Sequence, residues 1–164
     1  MSVKFKYLIC TLLFAAGALV SFFYTIHKKN ALNNNTCSTK AILYHNEIRA
    51  NISLDYMYTL KNKTGIVTVS GTYYKSNKYL GSIRQDVSYT WTENKNNFNF
   101  VSTRIDKIIT SNPVTDKELS YVLPDFYIYP GKQIAFTIVN QGPKGYIFTI
   151  GKRPLFLCTI ISHK

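Results

Sequence analysis

The chain has 164 residues, with 20 Lys and Arg against 8 Asp and Glu, a formal charge of +12, and 13 Tyr and 10 Phe. So many aromatic residues with only 17% charged residues exclude a disordered chain, while 8 Gly, 5 Pro and 3 Cys exclude a collagen-like or Cys-dense scaffold. Three His make a multi-His metal site a poor expectation, and the Tyr, Thr, Ile and Asn bias predicts a mainly β protein.

Residues 1–6 form a short basic start with Lys4 and Lys6. Tyr7 to Ile26 then runs for 20 residues without a charge. At ~1.5 Å of rise per residue such a helix measures roughly 30 Å, the thickness of a bilayer hydrocarbon core. A cleaved secretory signal would have an apolar stretch of about 7–15 residues and then small residues. Here the run is longer and ends in Phe22-Phe23-Tyr24. Bulky Ile9 argues against Cys10 as a lipoprotein cysteine, and a buried core helix would show a polar face. The reading is an uncleaved signal-anchor over 7–26, with residues 1–6 cytoplasmic. His27, Lys28 and Lys29 nearly balance the charges on the other side, so the positive-inside count barely orients the span. The cysteines orient it. Cys37 and Cys158 stand near the two ends of the remaining chain, as an even pair that staples a domain in an oxidising compartment. They predict a disulfide and an exported C-terminal part.

Residues 27–39 are polar and Asn-rich and read as a linker. The β-domain is assigned to 40–164. Removing residues 1–29 takes away four Lys and no carboxylate, which leaves +8. Alternation then sets in: Ile52, Leu54, Tyr56, Tyr58 and Leu60 share one face, and Val67, Val69, Gly71 and Tyr73 resume it after a turn at 61–65. Tyr79, Gly81, Ile83, Val87, Tyr89 and Trp91 line one face of a long strand, before Phe98 and Phe100. Period-2 runs with short Gly, Asn and Lys turns predict an antiparallel meander. A parity slip between Phe100 and Ile105 predicts a bulge. Residues 115–123 are the one helical candidate, with Asp116 as its cap and Pro124 as its stop. Three strands follow, at 133–139, 145–150 and 155–161. The last is apolar on both faces, so it is either central or covered by a partner. About eight strands with one short helix predict an antiparallel barrel or sandwich, the barrel preferred.

Catalytic chemistry finds no footing. No Gly-rich phosphate loop, H-E-x-x-H or G-x-S-x-G occurs, and His45 is the sole candidate base within the β region. No cofactor or metal is expected, and the protein reads as a non-enzyme. The Lys residues sit singly in turns, with no recognition helix or RNA-binding aromatic motif, so direct nucleic-acid binding is not expected. Two non-catalytic sites remain. Tyr56, Tyr58, Tyr73, Tyr89 and Trp91 either fill a solid core or line a cavity for an amphipathic ligand such as a bile salt or lipid. Phe156 and Ile160 in the last strand, with Phe126, Tyr127 and Tyr129 in the Tyr-rich segment, are candidates for partner docking through a strand edge or apolar surface.

A basic N-terminus, one signal-anchor, an early Cys, a strand running from Gly65 to Gly71 and a following strand with Ile83-Arg84 together resemble the FidL-like membrane proteins of enterobacteria. The resemblance implies an inner-membrane protein with a periplasmic domain, in a layout similar to ToxS. By that resemblance its partner is a membrane-anchored winged-helix transcription regulator of the ToxR type, and no catalytic residue carries over. The expected function is that of a non-enzymatic accessory or sensor subunit. The alternatives are a ligand-binding periplasmic barrel and a surface or host-interacting envelope protein.

Overall fold

The computed structural model of the chain describes residues 12–23 and 36–161. Contacts divide the chain into two units, Met1–Asn34 and Asn35–Lys164. In the first unit, residues 12–23 form a helix, α1, whose side chains are exposed. The rest of the expected span over 7–26 lies outside the described residues. Among the described residues no helix is long and apolar enough to cross a membrane.

The second unit is a closed antiparallel barrel of eight strands in sequential order. They are β1 (Thr36–His45), β2 (Ile48–Thr59), β3 (Thr64–Lys75), β4 (Lys78–Asn94), β5 (Asn97–Lys107), β6 (Gln133–Asn140), β7 (Tyr146–Ile150) and β8 (Arg153–Ile160). Closure follows from the pattern: each strand offers one apolar face, and an up-and-down path lets all eight point it to a common interior. Ala50, Ile52, Leu54 and Tyr56 on β2, Val67, Val69 and Tyr73 on β3, and Ile83, Val87, Tyr89 and Trp91 on β4 are all buried.

β1 begins inside the stretch assigned to the linker. Its inward residues, Cys37, Thr39, Ala41 and Leu43, include one polar and one small side chain, which hides the period. The bulge expected between Phe100 and Ile105 is present: Tyr89 pairs with Ser102 and Ser88 with Arg104, leaving Thr103 as the extra residue. A second bulge overturns the inward placement of Tyr79. Tyr73 pairs with Gly81 but Tyr74 with Tyr79, so Leu80 is the added residue and parity flips beyond it. Tyr79 is 46% exposed, and its ring packs edge-on against Tyr74 at 5.7 Å. Leu60 is also exposed, just past the end of β2.

The two glycines that mark β3 have steric reasons. A Cβ on Gly65 would lie 2.4 Å from the Tyr89 ring, and one on Gly71 would lie 2.1 Å from the Asn51 carbonyl oxygen. Both keep β3 close to its neighbours where the sheet curves into the barrel.

Between β5 and β6 the chain forms helix α2 (Asp116–Leu119) and a single 3-10 turn, Asp125–Tyr127. The helix is shorter than the expected 115–123, and its cap is Thr115 rather than Asp116. The Thr115 side chain accepts from the Glu118 amide while the Glu118 carboxylate accepts from the Thr115 amide at 2.9 Å. This reciprocal pair takes up amides that a helix start otherwise leaves unbonded; the Thr115 hydroxyl, which also donates to the Glu118 carboxylate at 2.7 Å, and then the Thr115 amide hold the Glu118 carboxyl below its ordinary pKa.

Candidate functional site

Aromatic rings fill the barrel interior. Phe148 lies 4.8 Å from Phe156, 5.2 Å from Tyr56 and 5.3 Å from Phe136. A second group joins Tyr89 to Phe100 at 5.0 Å and Phe100 to Phe136 at 5.7 Å. Stacked and edge-to-face contacts at such separations are the favoured geometries of ring pairs.

The segment expected to meet a partner is an internal plug. Phe126 and Tyr127 are buried, which overturns their assignment as docking residues, and Tyr129 is half-buried. Phe126 packs against Tyr89 at 6.1 Å and Phe100 at 6.4 Å. The plug is latched by polar side chains reaching in from the wall. Tyr56 and Tyr127 share a hydroxyl–hydroxyl bond of 2.6 Å, the Gln85 side-chain amide donates to the Tyr127 carbonyl at 2.5 Å, and the Ser102 hydroxyl donates to the Tyr129 carbonyl at 2.7 Å. Burying Gln85 and Ser102 is tolerable because each is bonded there. Neither was singled out by sequence. The signal was a polar residue at an inward position, Gln85 between Ile83 and Val87 and Ser102 after Phe100.

Burial pushes the Tyr127 hydroxyl up to about 12, against the Tyr56 bond that favours ionisation. Burial, then the neighbouring Tyr127, pushes Tyr56 well above the ordinary range, and burial raises Tyr89 as well. A phenol is neutral when protonated, so the folded protein holds these protons more tightly than the unfolded chain. The stability they confer is complete below the unfolded pKa of about 10 and is lost as pH rises toward the folded value, by up to ~1.4 kcal/mol per pH unit per group. The denaturation midpoint is therefore expected to hold steady up to pH ~10 and to fall steeply toward pH ~12. Tyr127→Phe is expected to flatten that fall, and an equally steep profile in the variant would contradict the assignment.

The other sequence candidates are placed as follows. Tyr73 and Trp91 are buried in the wall, with the Tyr73 hydroxyl donating to the Glu118 carbonyl at 3.2 Å. Tyr58 is half-buried, its hydroxyl 3.2 Å from that of Tyr146. Phe156 turns its ring into the aromatic cluster and is half-buried, as is Ile160, which pairs with Cys37. Cys37 and Cys158 are bonded, with their Cα atoms 5.2 Å apart. His45 is exposed and stacks on Tyr121 at 5.8 Å. The structure thus brings Tyr56, Tyr89, Phe126, Tyr127 and Phe156 together in one interior, although sequence had divided them between a cavity and a docking surface.

Two of the depressions formed by the described residues open on the barrel. One, of about 580 Å³, is lined by Lys40, Ala41 and Ile42 of β1, by Ile52 of β2 and by Gly71 of β3, among others. The other, of about 410 Å³, lies by the β1–β2 turn, against Tyr44 and Arg49. Neither is lined by the interior aromatic residues. Among the described residues no cluster of three or more His, Cys, Asp or Glu could hold a metal ion.

These features define a small antiparallel β-barrel, pinned shut by one disulfide and stopped by its own aromatic plug. Residues 34–158 match the YqeJ C-terminal domain family, and the chain belongs to that family. It is 34% identical over 153 residues to the "Uncharacterized protein YqeJ" of Escherichia coli strain K12, an alignment that spans 93% of this chain and 96% of the relative. The FidL-like resemblance finds no support in these matches. No solved structure matches.

Proposed function

We propose that the protein is a non-enzymatic accessory or sensor subunit, anchored once in the bacterial inner membrane through residues 7–26. Its N-terminus is cytoplasmic and its β-barrel periplasmic, where it docks the periplasmic part of a membrane-anchored, winged-helix regulator of the ToxR type. The observation that carries the reading is where the apolar side chains lie. The interior is occupied by the protein's own rings, whereas Ile42, Tyr44, Leu155 and Leu157 stand outside on β1 and β8. A filled core beside exposed apolar strands favours a protein that binds a partner over one that encloses a ligand. The disulfide is in keeping with an oxidising compartment.

Two experiments test this. After alkaline carbonate extraction the protein is expected to stay in the membrane pellet and to retain peptides from its N-terminus. Recovery of a mature chain starting between Ala15 and Asn35 would overturn the anchor. Crosslinking in native membranes, followed by capture of the full chain, is expected to recover a winged-helix regulator. Recovery of a bound lipid or bile salt with no regulator would instead favour the ligand-binding barrel.

A further inference from the structure

The barrel is closed along most of its seams but not along all of the last one. β1 pairs with β2 through its whole length, from Thr36↔Met57 to His45↔Ile48. On its other side it meets β8 at only two positions, Cys37↔Ile160 and Ser38↔Thr159. In an antiparallel ladder, successive residues send their main-chain groups alternately to one neighbour and to the other. The Ile161 amide donates to the Thr36 carbonyl at 3.0 Å, so the even-numbered residues of β1 face β8. Beyond Ser38, then, Lys40, Ile42 and Tyr44 turn their amides and carbonyls toward a side where no described strand pairs with them.

The lips of this gap are apolar and uncovered. Ile42 is 58% and Tyr44 71% exposed on β1, while Leu155 is 51% and Leu157 45% exposed on β8. Open strand edges with apolar side chains pair readily with other chains, and proteins ordinarily blunt them with charge or cover. The charge here has one sign. β1 and β8 carry Lys40 and Arg153 and no carboxylate.

We propose that an extended segment of a partner protein, alternating apolar and acidic side chains, adds to the open edge of β1 as a further strand in the gap before β8. Main-chain bonds to Lys40, Ile42 and Tyr44 would supply affinity and the alternate side chains selectivity. On the outer face a carboxylate stands beside Lys40 and apolar groups stand beside Ile42 and Tyr44. On the inner face Ala41 leaves room for an apolar side chain. Charge argues against self-occupancy. Residues 1–35 carry Lys4, Lys6, Lys28 and Lys29 and no carboxylate, and a second copy would bring another pair of cationic lips. The inference rests on the partner-docking reading above and gives that docking a location and a chemistry.

The test uses the full chain in detergent and a labelled peptide alternating valine with glutamate and threonine, beside the same peptide with lysine for glutamate, read by fluorescence anisotropy. The acidic peptide is expected to bind at least about tenfold more tightly than the basic one. Ile42→Pro removes an amide that faces the gap and leaves the β1–β2 ladder intact; with an unchanged circular dichroism spectrum it is expected to lose about tenfold or more in affinity. Lys40→Glu, at an exposed side chain, is expected to invert the preference between the two peptides. Equal binding of both peptides, undiminished binding by Ile42→Pro, or a dimer of the chain that Ile42→Pro dissolves would each overturn the proposal. Capture from native membranes separates it from the reading it rests on. If Ile42→Pro still recovers the regulator, the edge assignment falls and the docking reading stands. If the acidic peptide binds as expected while the unaltered chain recovers no regulator, the edge stands and the regulator falls.

Discussion

Breaking the Cys37–Cys158 bond is expected to destabilise the barrel by about 4–5 kcal/mol and to lower its thermal midpoint by about 10–20 °C. The bridge joins residues separated by 121 positions, so in the unfolded chain it removes the entropy of a very long loop, and that entropy grows with the logarithm of loop length. Its location adds to the effect. Cys37 pairs with Ile160 in the short β1–β8 ladder, and both cysteines are buried. With the bond gone, the first and last strands are held together by two register pairs and the packing behind them. Thermal unfolding of the full chain, with and without a dithiol reductant, measures the shift, and a Cys37→Ser, Cys158→Ser double variant controls for the reagent. Amide exchange is expected to rise first in β1 and β8, before β2, β3 and β4. A midpoint shift below about 3 °C would mean that the seam is held by something other than the bridge.

The same seam shows what the sequence could and could not disclose. The pairing of Cys37 with Cys158 follows from there being two cysteines at opposite ends of a β region, and the runs from Ile52 to Tyr58 and from Gly81 to Trp91 alternate so regularly that their inward faces are nearly written out. The slip near Thr103 is legible because Phe100 and Ile105 differ in parity and both want the core. Leu80 gives no such sign: Tyr79 and Leu80 are both apolar, so an added residue leaves the pattern looking unbroken. β1 escaped residue by residue because Cys37, Thr39 and Ala41 are too small or too polar to mark an inward face. The harder failure was at Phe126 and Tyr127. Aromatic residues between turn signals read equally well as a surface or as a plug, and the choice is made by Gln85 and Ser102, distant in sequence, whose hydrogen bonds draw the segment inside. Local periodicity carries the strands. It does not carry a contact between a loop and the opposite wall, nor the fact that β8 leaves β1 after two residues.

Whether the interior is a core or a ligand chamber is decided by Phe148→Ala, for which a loss of about 3–5 kcal/mol is expected. Phe148 is buried, and its ring touches three others, those of Phe156, Tyr56 and Phe136, all within 5.3 Å. Truncation removes the ring's own transfer energy and leaves a void that stiff neighbours cannot close. The Phe156 and Tyr56 rings are themselves stacked, at 6.2 Å, and Tyr56 is tied to Tyr127 by the hydroxyl bond. Collapse into the space would have to break that bond, so the void stays largely open and the penalty lies near the top of its range. A chamber built to hold a ligand behaves differently. There the phenyl ring would already border empty or hydrated space, and its loss would cost little, on the order of 1 kcal/mol or less. Denaturant unfolding of the full chain gives the difference directly, and an unchanged slope against denaturant shows that the change is one of stability and not of compactness. An apolar probe such as benzene is expected to regain part of the lost stability in Phe148→Ala and none in the unaltered protein. Stabilisation of the unaltered barrel by the same probe would mean that the rings surround a space of their own, and a ligand-binding barrel would then be the better description.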